Sequence, residues 1–160
     1  MNIILLGNDI LRNKAEPVRE LDGETARIAR EMLEVLRGQG VGLAAPQVGL
    51  AQRLFVTLAK DDEPRIFINP IITATSEEFG DYEEGCLSIP GIYADVTRPL
   101  ALSVQAWNEK GKPFSLEAEG LLARVIQHEF DHLNGVLFID HLSPLKRKRV
   151  IAAYEKKFRA

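Results

Sequence analysis

The sequence predicts an α+β fold: antiparallel β-sheets around a central helix that carries H-E-x-x-H, with one helix towards the N-terminus and another at the C-terminus. Three observations predict it. Helical signals occur in three separate places, strand signals gather between the first two, and no βαβ alternation links them. Size and composition agree. A chain of 160 residues has the length of one domain, expected here over residues 1–160, and can bury roughly 70% of its unfolded surface. It is 46% apolar and 27% charged, as ordinary globular proteins are.

The elements follow in order. Asp22 and Gly23 open the first helix, where Ala29, Met32, Leu33 and Leu36 keep the i, i+3, i+4, i+7 spacing of one buried face; Gly38 and Gly40 stop it. Residues 53–58 and 65–68 are short, apolar and partly β-branched, as strands are. Residues 71–78 are Thr-rich and 100–107 alternate, and the Asn-Glu-Lys-Gly turn at 108–111 returns the chain into a strand over 114–119. A second helix begins near Glu119 or Gly120, buries Leu121, Leu122, Val125, Ile126, Phe130 and Leu133, and ends at Asn134-Gly135. Ser143-Pro144 is an N-cap followed by a first-turn proline, which opens the third helix.

Charge and cysteine content narrow the function. Twenty Lys and Arg against 23 Asp and Glu give −3, which argues against generic binding to nucleic acid, DNA included. The balance is uneven: residues 143–160 hold seven bases and one acid, so they carry +6 and the rest −9. The periodicity of Val150, Tyr154 and Phe158 predicts that they pack on the body and leave Lys146, Arg147, Lys148 and Arg149 to solvent. No apolar run is long enough to span a membrane, and Met1-Asn2-Ile3-Ile4 lacks the basic start of a signal peptide. Cys86 is the sole cysteine, so no internal disulfide exists; a reducing cytoplasmic setting is expected.

Three segments carry chemistry. In Gln127-His128-Glu129-Phe130-Asp131-His132, helical geometry sets His128 and His132 about 40° apart on one face, where both can grip one metal ion. Glu129 lies about 60° round from His132, within reach of the metal's open side without being a ligand. A catalytic divalent site normally takes three protein ligands, so a third is needed. His141 follows closely but is badly placed by the short segment before it; Cys86, in Glu84-Gly85-Cys86-Leu87-Ser88, is the better candidate, since a thiolate is a strong ligand for iron or zinc. The third segment, Gly40-Val41-Gly42-Leu43-Ala44-Ala45-Pro46-Gln47, lets backbone approach a ligand and presents one side-chain amide. It has neither glycine pattern of a phosphate loop. Glu84, beside the cysteine, is expected to form a partly buried ion pair with Arg98 that braces the cysteine loop.

In this order, G-x-G-x-A-A-x-Q, E-G-C-x-S and Q-H-E-x-D-H resemble the peptide deformylases. Ile10-Leu11-Arg12, Arg98-Pro99 and Ser143-Pro144-Leu145-Lys146 extend the likeness to the bacterial form with a helical C-terminus, over effectively the whole chain. The resemblance implies a single catalytic domain that hydrolyses the formyl group from N-formylmethionine on nascent peptides. It implies that Cys86, His128 and His132 hold one divalent metal, ferrous iron in the cell and zinc or nickel in preparations. Glu129 would shuttle protons, and the Gln47 amide and Leu87 backbone N–H would stabilise the oxyanion. Backbone groups of Val41, Gly42 and Gly85 would pair with the peptide, and Leu121, Val125 and His128 would line the methionine pocket. The ribosome would be met through the basic helix 143–160. Two positions depart from the family pattern: Tyr93, where an arginine is common, and Arg124, where many members are apolar. Two other readings compete. A zincin-type metallopeptidase would leave Cys86 free, and an inactive ribosome-associated binding module would not need Glu129, Gln47 and Cys86 together.

Overall fold

The computed structural model describes residues 1–158. Three helices, α1 (Gly23–Leu36), α2 (Gly120–Leu133) and α3 (Pro144–Phe158), stand at the places the sequence marks, although Glu119 at the start of α2 makes no side-chain cap. The Asp22 side chain accepts from the Thr25 N–H at 3.1 Å and so caps α1. Arg159 and Ala160, the end of the basic C-terminal stretch, lie outside the described residues.

The strands are β1 (Gly42–Ala44), β2 (Leu54–Thr57), β3 (Arg65–Thr75), β4 (Phe79–Cys86), β5 (Ile89–Pro99), β6 (Ala101–Trp107) and β7 (Pro113–Glu119). Five form one antiparallel sheet in the order β1-β2-β3-β6-β7, and β4 and β5 form a separate hairpin. Alternation along β2 divides the interior. Leu54 and Val56 pack with Met32 and Leu36 of α1. Phe55 points the other way, stacks on Phe67 at 4.7 Å and packs with Ile126 and Leu133 of α2. The two helices therefore cover opposite faces of the sheet. A third cluster joins Ile89 and Val96 of β5 to Leu11, Phe138 and Tyr154 of α3, fixing the hairpin to the C-terminal part of the chain.

The antiparallel α+β architecture predicted from the sequence is the one observed, with differences inside it. The two segments at 65–68 and 71–78 are one strand, β3, whose register shifts between Ile68 and Ile71. Asn69 takes the left-handed conformation there (φ 51°), and its side chain bonds both the N–H and the C=O of Val18. Sequence signals assign no strand to β4 or β5. Glycines at 80, 85 and 91 and the acids of β4 weaken strand propensity, and burial of Ile89, Ile92 and Val96 overrides it. In α3, Tyr154 is buried and Val150 half-buried, but Phe158 is 43% exposed. It stacks on Tyr154 and its ring edge meets the Gly91 turn, which leaves the rest of the ring to solvent. Lys146, Lys148 and Arg149 face solvent, whereas Arg147 pairs with Asp140 at 3.0 Å.

Candidate metal centre

Helix α2 and the β4–β5 hairpin meet at the centre of the molecule, and each supplies part of the site. His128 and His132 come from α2, one turn apart, with ring centroids 5.1 Å from each other. Cys86 comes from the end of β4. One ligating atom from each of the three falls within 4.8 Å of the others, and the Cys86 Sγ lies 3.4 Å from His132 Nε2. This thiol-and-two-imidazole set fits a single divalent ion of the iron or zinc kind. His141 takes no part; its Nε2 bonds Asp131 at 2.8 Å.

Glu84 organises the ligand on its side. Its carboxylate accepts from Arg98 Nε at 2.7 Å and Nη2 at 3.0 Å, from Arg124 Nη1 at 2.9 Å and from His128 Nδ1 at 2.9 Å. The expected Glu84–Arg98 pair is thus present and fully buried, with two further donors on the same carboxylate. Burial alone would raise the Glu84 carboxyl, but His128 and Arg98 outweigh it and hold it at about 2. An ionised Glu84 requires the proton of His128 on Nδ1, which leaves Nε2 free for a metal. Burial holds His132 well below the ordinary imidazole range, in the neutral form that ligates.

Glu129 is buried beside them, with Oε2 4.0 Å from His128 Nε2 and Oε1 without a protein partner. Burial pushes its carboxyl up to about 7. A buried carboxylate oxygen left unpaired is costly unless something polar meets it in use. Gln47 faces the same spot: its Oε1 accepts from the Ala44 N–H at 2.9 Å, and its Nε2 donates to Ser88 Oγ at 3.2 Å and reaches Cys86 Sγ at 3.5 Å. The buried Ser88 that orients this amide was not among the residues singled out from the sequence; its place in the E-G-C-x-S segment is the signal that could have found it.

A cleft of about 340 Å³ opens onto these groups. Leu121, Val125 and His128 line it from α2, Val41 and Gly42 from the β1 side, and Gly85 and Leu87 from the hairpin. One backbone group differs from expectation. The Val41 carbonyl already accepts from Leu58 N–H at 2.7 Å, so it faces β2, and strand alternation leaves the polar groups of Gly42 on the open edge. Tyr93 packs its ring against Gly85, where a Cβ would lie 2.5 Å from it, and stands exposed on the cleft rim. Arg124 is not loose at the rim, because its guanidinium is buried on Glu84.

The family described as polypeptide deformylase matches residues 1–148. The chain belongs to this family. A peptide deformylase of Chromohalobacter salexigens is 48% identical over 163 residues, covering 100% of this chain and 96% of that one. One from Treponema pallidum is 49% identical over 155 residues, covering 96% and 95%. Among solved structures, a peptide deformylase from Ehrlichia chaffeensis in complex with actinonin superposes with TM-score 0.96 at 35% identity, covering 100% of this chain and 98% of its own. One from Legionella pneumophila gives 0.92 at 40%, covering 99% and 95%. Family members are metal-dependent hydrolases, and the three deformylase motifs converge on one cleft in this fold.

Proposed function

We propose that the chain, as one catalytic domain over residues 1–160, removes the formyl group from the N-terminal N-formylmethionine of newly made polypeptides. The observation that carries this is the convergence of Cys86, His128 and His132 beside the buried Glu129 in an open cleft. These three residues hold one divalent ion, ferrous iron in the cell and zinc or nickel in isolated protein. When bound, the ion supplies Lewis-acid chemistry, activating water and polarising the formyl carbonyl. Glu129 accepts a proton as water adds to the formyl carbon and returns it to the departing amine, so formate and a free N-terminus result. A carboxyl raised to about 7 is matched to both halves of that exchange. The Gln47 amide and the Leu87 N–H donate to the carbonyl oxygen as it gains charge, a contribution of roughly 3–4 kcal/mol per donor.

The peptide adds as a strand along Gly42 and Gly85, with Val41 beside it, and main-chain pairing makes little demand on sequence. Leu121, Val125 and His128 receive the methionine side chain. A free Cys86, as a zincin-type peptidase would have, is disfavoured by its 3.4 Å approach to His132 Nε2, and the intact set of Glu129, Gln47 and Cys86 disfavours an inactive module. No helix of the described residues is long and apolar enough to cross a membrane. The enzyme works in the cytoplasm and meets the ribosome through the exposed bases of α3; co-sedimentation with ribosomes should weaken steeply with salt, and persistence after removal of α3 overturns that contact. Two substitutions test the roles. Cys86→Ser should lose metal and activity together, whereas Glu129→Ala should keep its metal and lose about 10²–10⁴-fold in kcat. Near-normal turnover by Glu129→Ala at full metal occupancy refutes the mechanism.

A further inference from the structure

The ligands come from two separately built bodies: Cys86 from the β4–β5 hairpin, and His128 and His132 from α2. Arg124 lies one turn before His128 on the same face of α2, and its guanidinium reaches across to the hairpin three times. Nη1 donates to Glu84 Oε2 at 2.9 Å and to the Val96 carbonyl at 2.7 Å, and Nη2 donates to the Gly80 carbonyl at 3.0 Å. Arg98, the other cation on Glu84, belongs to β5 and also donates from Nη1 to Asp131 Oδ2 of α2 at 2.9 Å, beyond His128 along that helix. Arg98 therefore ties the carboxylate to α2 only through a second carboxylate, whereas Arg124 binds it directly. Arg124 fixes it relative to the helix that carries the histidine it must orient.

We propose that Arg124 is a positioning residue of the metal centre, acting through Glu84 on the ring of His128. Its charged head bonds Glu84, Val96 and Gly80 and none of the three metal-ligand candidates. The proposal rests on the metal-centre reading above and goes beyond it. Partners of metal-bound histidines typically influence affinity 10- to 100-fold when removed.

Equilibrium binding and the visible spectrum of cobalt(II) test it, in the full chain and in Arg124→Met, Glu84→Gln and the double variant. Methionine keeps much of the apolar stem and removes the fork. Arg124→Met should weaken cobalt binding about tenfold and alter the thiolate-to-cobalt band, and Glu84→Gln should weaken it at least as much. If Arg124 acts through Glu84, the double variant binds no more weakly than Glu84→Gln alone. Wild-type affinity in Arg124→Met, or two losses that multiply in the double variant, overturns the proposal, the second outcome marking a merely structural role. Should either variant fail to fold, Arg124→Lys and Glu84→Asp complete the same cycle with the same two criteria. A wild-type chain that takes up no cobalt overturns the metal-centre reading itself, and this proposal with it.

Discussion

Replacing Gly42 with alanine tests the placement of Glu129, with Val125 the one other side chain among the atoms nearest the added methyl. A Cβ on Gly42 would lie 2.5 Å from Glu129 Oε2, 2.9 Å from Glu129 Cδ and 2.7 Å from Val125 Cγ1. Ordinary contact begins at 3.4 Å, so the carboxylate must withdraw by about 1 Å, and its burial against His128 leaves little room to do so. Gly42 does not adopt a left-handed conformation, so alanine brings no backbone strain, and the N–H and C=O on the open edge are retained. A displacement of about 1 Å in a catalytic group can lower the rate about 100-fold. That corresponds to about 3 kcal/mol of transition-state stabilisation. The assay is steady-state hydrolysis of a formyl-Met peptide by Gly42→Ala protein whose metal content has been measured. kcat should fall about 100-fold while metal occupancy stays at the wild-type level, because the atoms nearest the added methyl belong to Glu129 and Val125 rather than to Cys86, His128 or His132. A wild-type kcat, or a loss of activity tracking a loss of metal, would show that the space beside Gly42 does not hold Glu129 in place.

Three further outcomes are expected. Tyr154→Ala, at a site only 1% exposed, should destabilise the protein by about 3–5 kcal/mol in urea unfolding, since it empties the cluster that joins α3 to β5. Gly135→Ala should also destabilise, by about 1–2 kcal/mol for the left-handed residue (φ 73°) and more for the clash of its Cβ with the Arg12 carbonyl; a melting temperature equal to wild type contradicts this. Iron-loaded enzyme should lose activity in air while zinc-loaded enzyme persists, because Cys86 is half-exposed in an open cleft; equal half-lives would count against iron-bound thiolate oxidation.

Helix α2 was legible because its chemistry is local. Two histidines four residues apart, an apolar stripe and the Asn134-Gly135 stop signal leave little choice about face or register. Cys86 was legible for a different reason: the helix demands a third ligand, and the chain has one thiol. The hairpin that delivers Cys86 was not legible, because Gly80, Asp81, Glu83 and Gly85 are poor strand formers and the hairpin exists through contacts made far along the chain. The same distance hid the partner of Arg124. Its position four residues before His128 shows which face of α2 it shares, but only the folded chain brings Glu84, forty positions earlier, against that face. Gly42 belongs with these: its backbone freedom is visible in the sequence, but the carboxylate it makes room for is not.

The proposed ligands are divided between helix and hairpin: two imidazoles near each other along α2, and a thiol forty-two positions before the first of them. An ion held by all three would close a long loop of chain. On the proposed ligand set the ion would bridge helix and hairpin, so hydrogen exchange in β4 and β5 should slow on loading far more than in α1, whose packing against β2 involves no ligand.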